Sequence, residues 1–378
     1  MRLAAAAFTA LTLSVLALLA PMPGRRIAAA ALVAVAASLL VWFTRQAAPP
    51  QLVQLTGPTM GSTYAISYHG KGAPAAAQMQ REVQAILDEI DAAVSTYRDD
   101  SALARFNAAP EAPEGTCMDM PQAAIDLAQY ALTLSQQSGG AFDATLLPAL
   151  QAWGFHRKTP SLPAPAPDEA QLAALRQRTG MAHLRVQGQQ LCKDAPIHVE
   201  FNAIAAGYAI DRIAARFGQL GVRDHLIEVT GEIRGSGTRP DGAPWRVGIE
   251  APQDGARQAQ RIVPLSGMAL STSGSYRNWR STADGQRRSH ILDARTLTPV
   301  QHRLASVTVA APLAMHADGL STLLMALGEA QGFAWAAERD IAALFVIPAE
   351  CGENGGFTLR ATPAFERAFG RTTSGETP

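Results

Sequence analysis

Acidic side chains are absent from the first 81 positions, and Glu82 is the first to appear. Over all 378 residues, 32 acidic side chains balance 32 basic ones, for a formal net charge of zero. That balance excludes a generally basic nucleic-acid binder. A hydrophobic content of 48% excludes a disordered chain. Cysteine is scarce: only Cys117, Cys192 and Cys351 occur, with no C-x-x-C pair, so a zinc ribbon or thioredoxin-type site is excluded. Three isolated, partly buried thiols are the expected state. An oxidising compartment would allow one disulfide, whose partners the sequence does not select. Also missing are G-x-x-x-x-G-K-[ST], G-x-G-x-x-G, H-E-x-x-H and G-x-S-x-G, and the eight histidines stand singly. These absences argue against the common kinds of nucleotide enzyme.

The zero charge is an average over two unlike parts. Residues 1–45 hold Arg2, Arg25, Arg26 and Arg45; without them, 28 basic side chains face 32 acidic ones, about −4 for the remaining body. The leader carries two apolar runs, 3–22 and 27–43, split by Pro23-Gly24-Arg25-Arg26. A 17-residue helix spans roughly 25 Å, the low end of a membrane span. The leader therefore reads as a two-helix hairpin or, with translation starting at Met22, as a single export segment. Arg25 and Arg26 favour the cytoplasmic side, which places the body outside the inner membrane, in the periplasm; a cytoplasmic body is the alternative. An uncleaved N-terminal anchor is expected, followed by a linker at 46–51.

The body, 52–350, alternates strand-like and helix-like segments without a repeat, which indicates a mixed α/β (α+β) domain. Strand, turn at Thr59-Met60-Gly61-Ser62 and strand open it. Helices are expected at 75–94, 121–138 (stopped by Gly139-Gly140), 168–178, 203–217, 315–327 and 329–338. Short strands are expected at 183–186, 197–201, 226–229, 245–249, 268–271, 305–309 and 341–347. Residues 159–167 read as a Pro-rich loop, and 351–378 as a partly flexible C-terminal segment.

Chemistry concentrates in small-residue segments bearing one polar side chain. In Ala317-Asp318-Gly319-Leu320-Ser321-Thr322, a helix puts the Asp318 carboxylate and the Thr322 hydroxyl one turn apart on one face. Hard oxygen donors at that spacing suit Mg²⁺; the alternative is a helix start with Asp318 near the N-cap. In Ser289-His290-Ile291-Leu292-Asp293, strand alternation puts His290 and Leu292 on one face, where His290 can serve a hydroxyl nucleophile as general base or sit satisfied by backbone. Ser138-Gly139-Gly140-Ala141-Phe142-Asp143 with Trp153-Gly154-Phe155 lets backbone approach a flat ligand, with Phe142 or Trp153 against its ring, or is a helix stop and a core phenylalanine. Glu228-Val229-Thr230-Gly231-Glu232-Ile233 and Ser271-Thr272-Ser273-Gly274-Ser275-Tyr276 read as further polar turns.

Taken in order with Met60-Gly61-Ser62-Thr63, Ser95-Thr96-Tyr97-Arg98, Leu103-Ala104-Arg105-Phe106-Asn107 and Ala203-Ile204-Ala205-Ala206-Gly207-Tyr208-Ala209-Ile210-Asp211, these segments resemble the ApbE family of FAD:protein FMN transferases. The resemblance implies a fold with a T-fold-like core, FAD as substrate, Mg²⁺ as metal, and transfer of FMN to a threonine hydroxyl of a partner, a respiratory or electron-transfer flavoprotein, with release of AMP. By that resemblance Asp318 and Thr322 would bind Mg²⁺ with a backbone oxygen of Ala203, and of Met315 as a further donor. His290 would be the general base, and Met60, Tyr97, Ala141, Phe142, Asp143, Glu200, Ala206 and Ile291 would line FAD. The chain departs from the family pattern in three places. Ala206 replaces a charged residue, Thr230 stands where glycine is usual, and Asp293-Ala294-Arg295-Thr296-Leu297-Thr298-Pro299 lacks the Pro and Gly of the usual D-P-x-T-G-x-P turn. Two other readings remain: an FAD-binding protein, and an FAD pyrophosphatase giving FMN and AMP.

Overall fold

The computed structural model describes residues 51–110, 115–155, 166–253, 258–275, 279–281, 287–349 and 356–371. The leader, the linker up to residue 50 and most of the Pro-rich loop lie outside the described residues, as does the end of the C-terminal segment. Among the described residues no helix is long and apolar enough to cross a membrane.

Strands β1 (Val53–Thr59) and β2 (Ser62–His69) form a hairpin through Met60 and Gly61, both with left-handed backbone (φ 46° and 73°). Two positive φ values suit the twist of a two-residue hairpin; Gly61 adopts its value freely, whereas Met60 does so under strain. Helix α1 (Ala76–Val94) buries Met79, Val83, Leu87 and Ile90 at helical spacing. Then come α2 (Ala102–Ala108), β3 (Thr116–Asp119), α3 (Gln122–Gln137), α4 (Leu147–Ala152), α5 (Glu169–Arg176), β4 (Leu184–Gln187) and β5 (Gln190–Lys193). As expected, Gly139 and Gly140 stop α3: both have positive φ, and the Gly140 N–H returns to the Ser135 carbonyl. Next are α6 (Ala205–Gln219), β6 (Asp224–Val229), β7 (Glu232–Ser236), β8 (Trp245–Glu250), β9 (Ala259–Leu265), β10 (Met268–Gly274), β11 (Trp279–Ser281), β12 (Arg287–Ser289), β13 (Leu292–Asp293) and β14 (Thr298–Pro299). The described chain ends with β15 (Ser306–Ala311), α7 (Ala314–Glu338), β16 (Ala342–Pro348), β17 (Phe357–Ala361) and α8 (Pro363–Phe369).

One eight-stranded sheet organises the body, in the order β1-β2-β6-β7-β10-β15-β16-β17. All of its neighbouring strands run antiparallel. A helical layer covers one face: Tyr64, Ile66 and Ile227 of the sheet share a core with Ile210, Ile213 and Phe217 of α6 and with α1. On the other face, Leu270 and Leu344 pack with Val247 and Val263 of the β8–β9 hairpin and with Phe365 of α8. Every residue of β15 is buried, as a central strand covered on both faces requires. Helix α7 breaks at Gly328 (φ 75°, ψ −178°), where the sequence divides it into two helices. A Cβ at Gly328 would stand 2.6 Å from the His302 ring.

Four expectations are corrected. Residues 197–201 form no strand; only His198 makes a bridge, to Leu146. Residues 289–293 are not one strand, because the Ser289 hydroxyl takes the Ile291 N–H (3.1 Å) and turns the backbone out of the ladder between β12 and β13. The body continues past residue 350, with β17 as the edge strand and Phe365 of α8 fully buried. The cysteines are not three separate thiols: Cys117 and Cys192 stand directly opposite in β3 and β5, Cα atoms 4.0 Å apart, joined as a disulfide. That pairing spans 75 residues and follows from the register of β3 against β5. Replacing both by serine is expected to cost about 4.5 kcal/mol, the chain-entropy figure for a loop of this length. Guanidinium melts of the oxidised and double-serine proteins read the difference, and coincident midpoints would contradict it.

Candidate active site

The starts of α6 and α7 meet above β7 and β10. Gly207 permits the contact: a Cβ there would lie 2.4 Å from the Ala314 carbonyl oxygen. Its N–H donates to Oδ2 of Asp318 (3.1 Å), and the Ser271 hydroxyl donates to Oδ1 (3.4 Å). Asp318 sits in the second turn of α7 and is 5% exposed. The expected i, i+4 pair therefore exists as a helical face, with Leu313 rather than Asp318 at the N-cap. The segment read as a polar turn at 271–275 is largely strand β10, and its alternation aims Ser271 and Ser273 at α7. Ser273 reaches Ser321 (2.9 Å) and Thr322 (3.2 Å), while Thr272 points to the opposite face and bonds Thr308.

A second carboxylate faces this cluster. Glu232 opens β7 after the turn Thr230-Gly231, and the Thr230 hydroxyl donates to it (2.7 Å). Burial, reinforced by the Glu232 charge, holds the Asp318 carboxyl well above the usual carboxylate range; burial also raises Glu232. Among the described residues no Lys, Arg or His forms an ion pair with either acid. Nor do three or more His, Cys, Asp or Glu side chains gather into a metal cluster there. The donors at hand are oxygens of a carboxylate, hydroxyls and backbone.

A separate group forms where α2 meets the segment before α6. The Asn107 side chain donates to the Val199 carbonyl and accepts its N–H, both at 2.8 Å, and the Glu200 N–H donates to the Ala144 carbonyl. These bonds seat Glu200 against Ala144 and near Tyr97. Tyr97 is 52% exposed and feels the Glu200 charge. Burial pushes the Glu200 carboxyl up to about 7 and also raises Asp143, whose Oδ1 accepts from the Thr145 N–H and hydroxyl. Ala203 lies in the turn leading from Glu200 to α6, and Ala206 is buried in the first turn of that helix, so one continuous segment connects this group to Asp318. Phe142 is buried in the main core, which leaves backbone rather than ring for a ligand. Trp153 is likewise committed: its indole N–H donates to the Leu297 carbonyl (2.8 Å).

His290 stands half-buried at the bend between β12 and β13, with the Phe155 ring edge-on at 6.4 Å. Ile291 next to it packs in a core with Leu324 of α7, so the histidine's backbone is anchored to the helix that bears Asp318. Two of the family departures fall on left-handed backbone: Thr230 (φ 56°) and Leu297 (φ 60°) keep the conformation that glycine would supply. Leu297 is also buried against Trp153 and Leu292. Sequence reasoning gave no role to Ser271, Glu232, Gly207 or Asp211. The period-two serines of 271–275 and the four-residue spacing of Gly207 and Asp211 are the signals that point to them.

The ApbE family model matches residues 60–345. Two proteins named FAD:protein FMN transferase are similar: one from Vibrio cholerae, 36% identical over 85% of this chain and 94% of its own length, and one from Salmonella typhimurium, 39% identical over 84% and 90%. The crystal structure of the Pseudomonas stutzeri flavinyl transferase ApbE, in its apo form, superposes with a TM-score of 0.77 at 43% identity, covering 86% of this chain and 98% of that one. On this match the chain belongs to the ApbE family.

Proposed function

We propose that this protein is a FAD:protein FMN transferase that uses Mg²⁺ and a threonine hydroxyl on a target flavoprotein as acceptor. The observation that carries the reading is the Asp318 carboxylate, buried one helical turn from Thr322, beside Glu232 and, among the described residues, without an ion-pairing cationic side chain. A buried and a half-buried acid side by side, with no ion-paired cation among the described residues, favour a cation between protein and substrate. The donor chemistry fits Mg²⁺, which takes few carboxylates and keeps sites for water and phosphate oxygens. Asp318, Thr322 and a backbone oxygen of Ala203 would hold it, with a backbone oxygen of Met315 as a further donor. When bound, it neutralises charge on the FAD pyrophosphate.

The chain's own residues supply the rest. Tyr97 offers an aromatic face to a flat ring system, with Met60, Ala141, Phe142, Asp143, Glu200, Ala206 and Ile291 completing the FAD site. His290 accepts the proton of the acceptor hydroxyl as its oxygen bonds to the FMN-side phosphorus. The phosphoanhydride bond breaks, AMP leaves with the electron pair, and FMN stays on the protein as a phosphate ester. Catalysis of this kind rests on positioning and charge stabilisation and requires no protein nucleophile. The basic, apolar leader supports anchoring at the inner membrane with the body periplasmic.

With its carboxyl near 7, Glu200 is protonated below that pH and can donate to FAD; above it, the ionised acid repels an anionic ligand. FAD affinity is therefore expected to fall as pH rises through about 7, by at most about tenfold per unit, and Glu200→Gln is expected to flatten the profile. Flavin fluorescence titration checks this; an unchanged slope in the variant would remove Glu200 from the site. The function itself is tested by incubating the protein with FAD, Mg²⁺ and a candidate acceptor, then reading flavin fluorescence in a denaturing gel. Flavin on the acceptor band supports transfer, free FMN with a dark band means hydrolysis, and intact FAD means binding alone.

A further inference from the structure

Helix α7 carries the proposed metal-binding side chains, yet its own sequence does not cap it. Leu313 occupies the N-cap with extended backbone (φ −110°, ψ 139°), makes no side-chain cap bond, and no acid lies in the first turn. The missing acceptors come from α6. Both oxygens of Asp211 are used, one accepting the Ala314 N–H and the other the Met315 N–H, each at 3.0 Å. Arg234 of β7 ion-pairs with the same carboxylate. Arg234 and Glu232 are two apart on β7 and so share a face. One strand face thus pairs Arg234 with Asp211 and sets Glu232 near Asp318. Gly207, one turn earlier on α6, donates its N–H to Asp318. Residues 207 and 211 of α6 therefore grip α7 at two levels, its free amides and its functional carboxylate.

We propose that Asp211 is a positioning residue for the metal site: it serves as the N-cap of α7 from a different helix and fixes where Asp318 and Thr322 stand. A cap placed on a neighbouring element, rather than within α7, couples the height of α7 to α6, whose preceding turn holds Ala203. The donors of one cation, divided between two helices, are thereby held at one spacing. The proposal rests on the reading of Asp318 and Thr322 as metal-binding.

The test titrates the purified protein with Mn²⁺ alone and counts free ion by electron paramagnetic resonance. Asp211→Ala is expected to weaken binding by roughly 10–100-fold, the range for residues that orient metal ligands. Leu313 has cap geometry and is 39% exposed. Adding Leu313→Ser to Asp211→Ala gives α7 a cap of its own and is expected to restore affinity to within a few-fold of the parent. If Asp211→Ala does not yield folded protein, Asp211→Asn with and without Leu313→Ser makes the same comparison. Unchanged affinity in the Asp211 variant overturns the proposal. So does recovery on adding Arg234→Met but not Leu313→Ser, since that outcome assigns the loss to freed charge. Asp318→Asn is the separate control: if it binds Mn²⁺ like the parent, the metal reading itself fails, whatever Asp211 does.

Discussion

Replacing Asp318 by asparagine is expected to abolish flavin transfer and, in metal-free buffer, to raise the melting temperature. The two effects share one cause. Asparagine still accepts the Gly207 N–H but carries no charge, so the desolvated, repelling pair of Asp318 and Glu232 is relieved. A carboxyl whose folded-state pKa is raised costs stability as pH climbs from its unfolded value towards its folded one, so the parent's metal-free stability declines over that interval and the variant's decline is smaller. The same substitution removes the charge that would hold Mg²⁺. With several kcal/mol of charge stabilisation lost, transfer should fall by roughly three orders of magnitude or more. Thermal melts with and without Mg²⁺, beside a transfer assay, check both halves. Only the parent should be stabilised by the metal. Retained transfer in Asp318→Asn would contradict the site.

His290→Gln is the second large effect. Glutamine preserves hydrogen-bonding capacity at the bend but cannot take up a proton, so the maximal transfer rate is expected to drop by about 10²–10⁴. FAD affinity and thermal stability should move far less than the rate, because neighbours fix the backbone around His290. The Ser289 hydroxyl holds the Ile291 N–H, the Ile291 carbonyl accepts the Val300 N–H, and the Ile291 side chain lies in the core with Leu324. Single-turnover kinetics with saturating FAD separate the cases. A rate loss within threefold would mean that water or another group accepts the proton.

The elements that bear the site were legible because their information is local. Asp318 and Thr322 share a helical face through their spacing alone, and Gly139-Gly140 stops α3 by backbone preference. The division of α7 at Gly328 also follows from a residue that permits φ 75° where a side chain would strike His302. What escaped was created by long-range register. Cys117 meets Cys192 because β3 pairs with β5, and Ser271 meets Asp318 because β10 runs under α7. Asp211 caps a helix 103 positions away. The stretch at 289–293 alternates like a strand, but a serine hydroxyl captures the next amide but one, and that single side-chain bond outweighs the periodicity. Thr230 and Leu297 show the converse: residues that disfavour left-handed backbone are held there by a hydrogen bond to Glu232 and by burial against Trp153.

The central claim is that FAD is split at its pyrophosphate with FMN retained on protein, and mass spectrometry of the acceptor with parallel AMP quantitation tests it most directly. Incubated with FAD and Mg²⁺, the acceptor should gain the mass of FMN less water on one threonine, with one AMP released per modified acceptor, and neither product should form with Asp318→Asn. AMP and free FMN appearing while the acceptor mass stays unchanged would contradict the account.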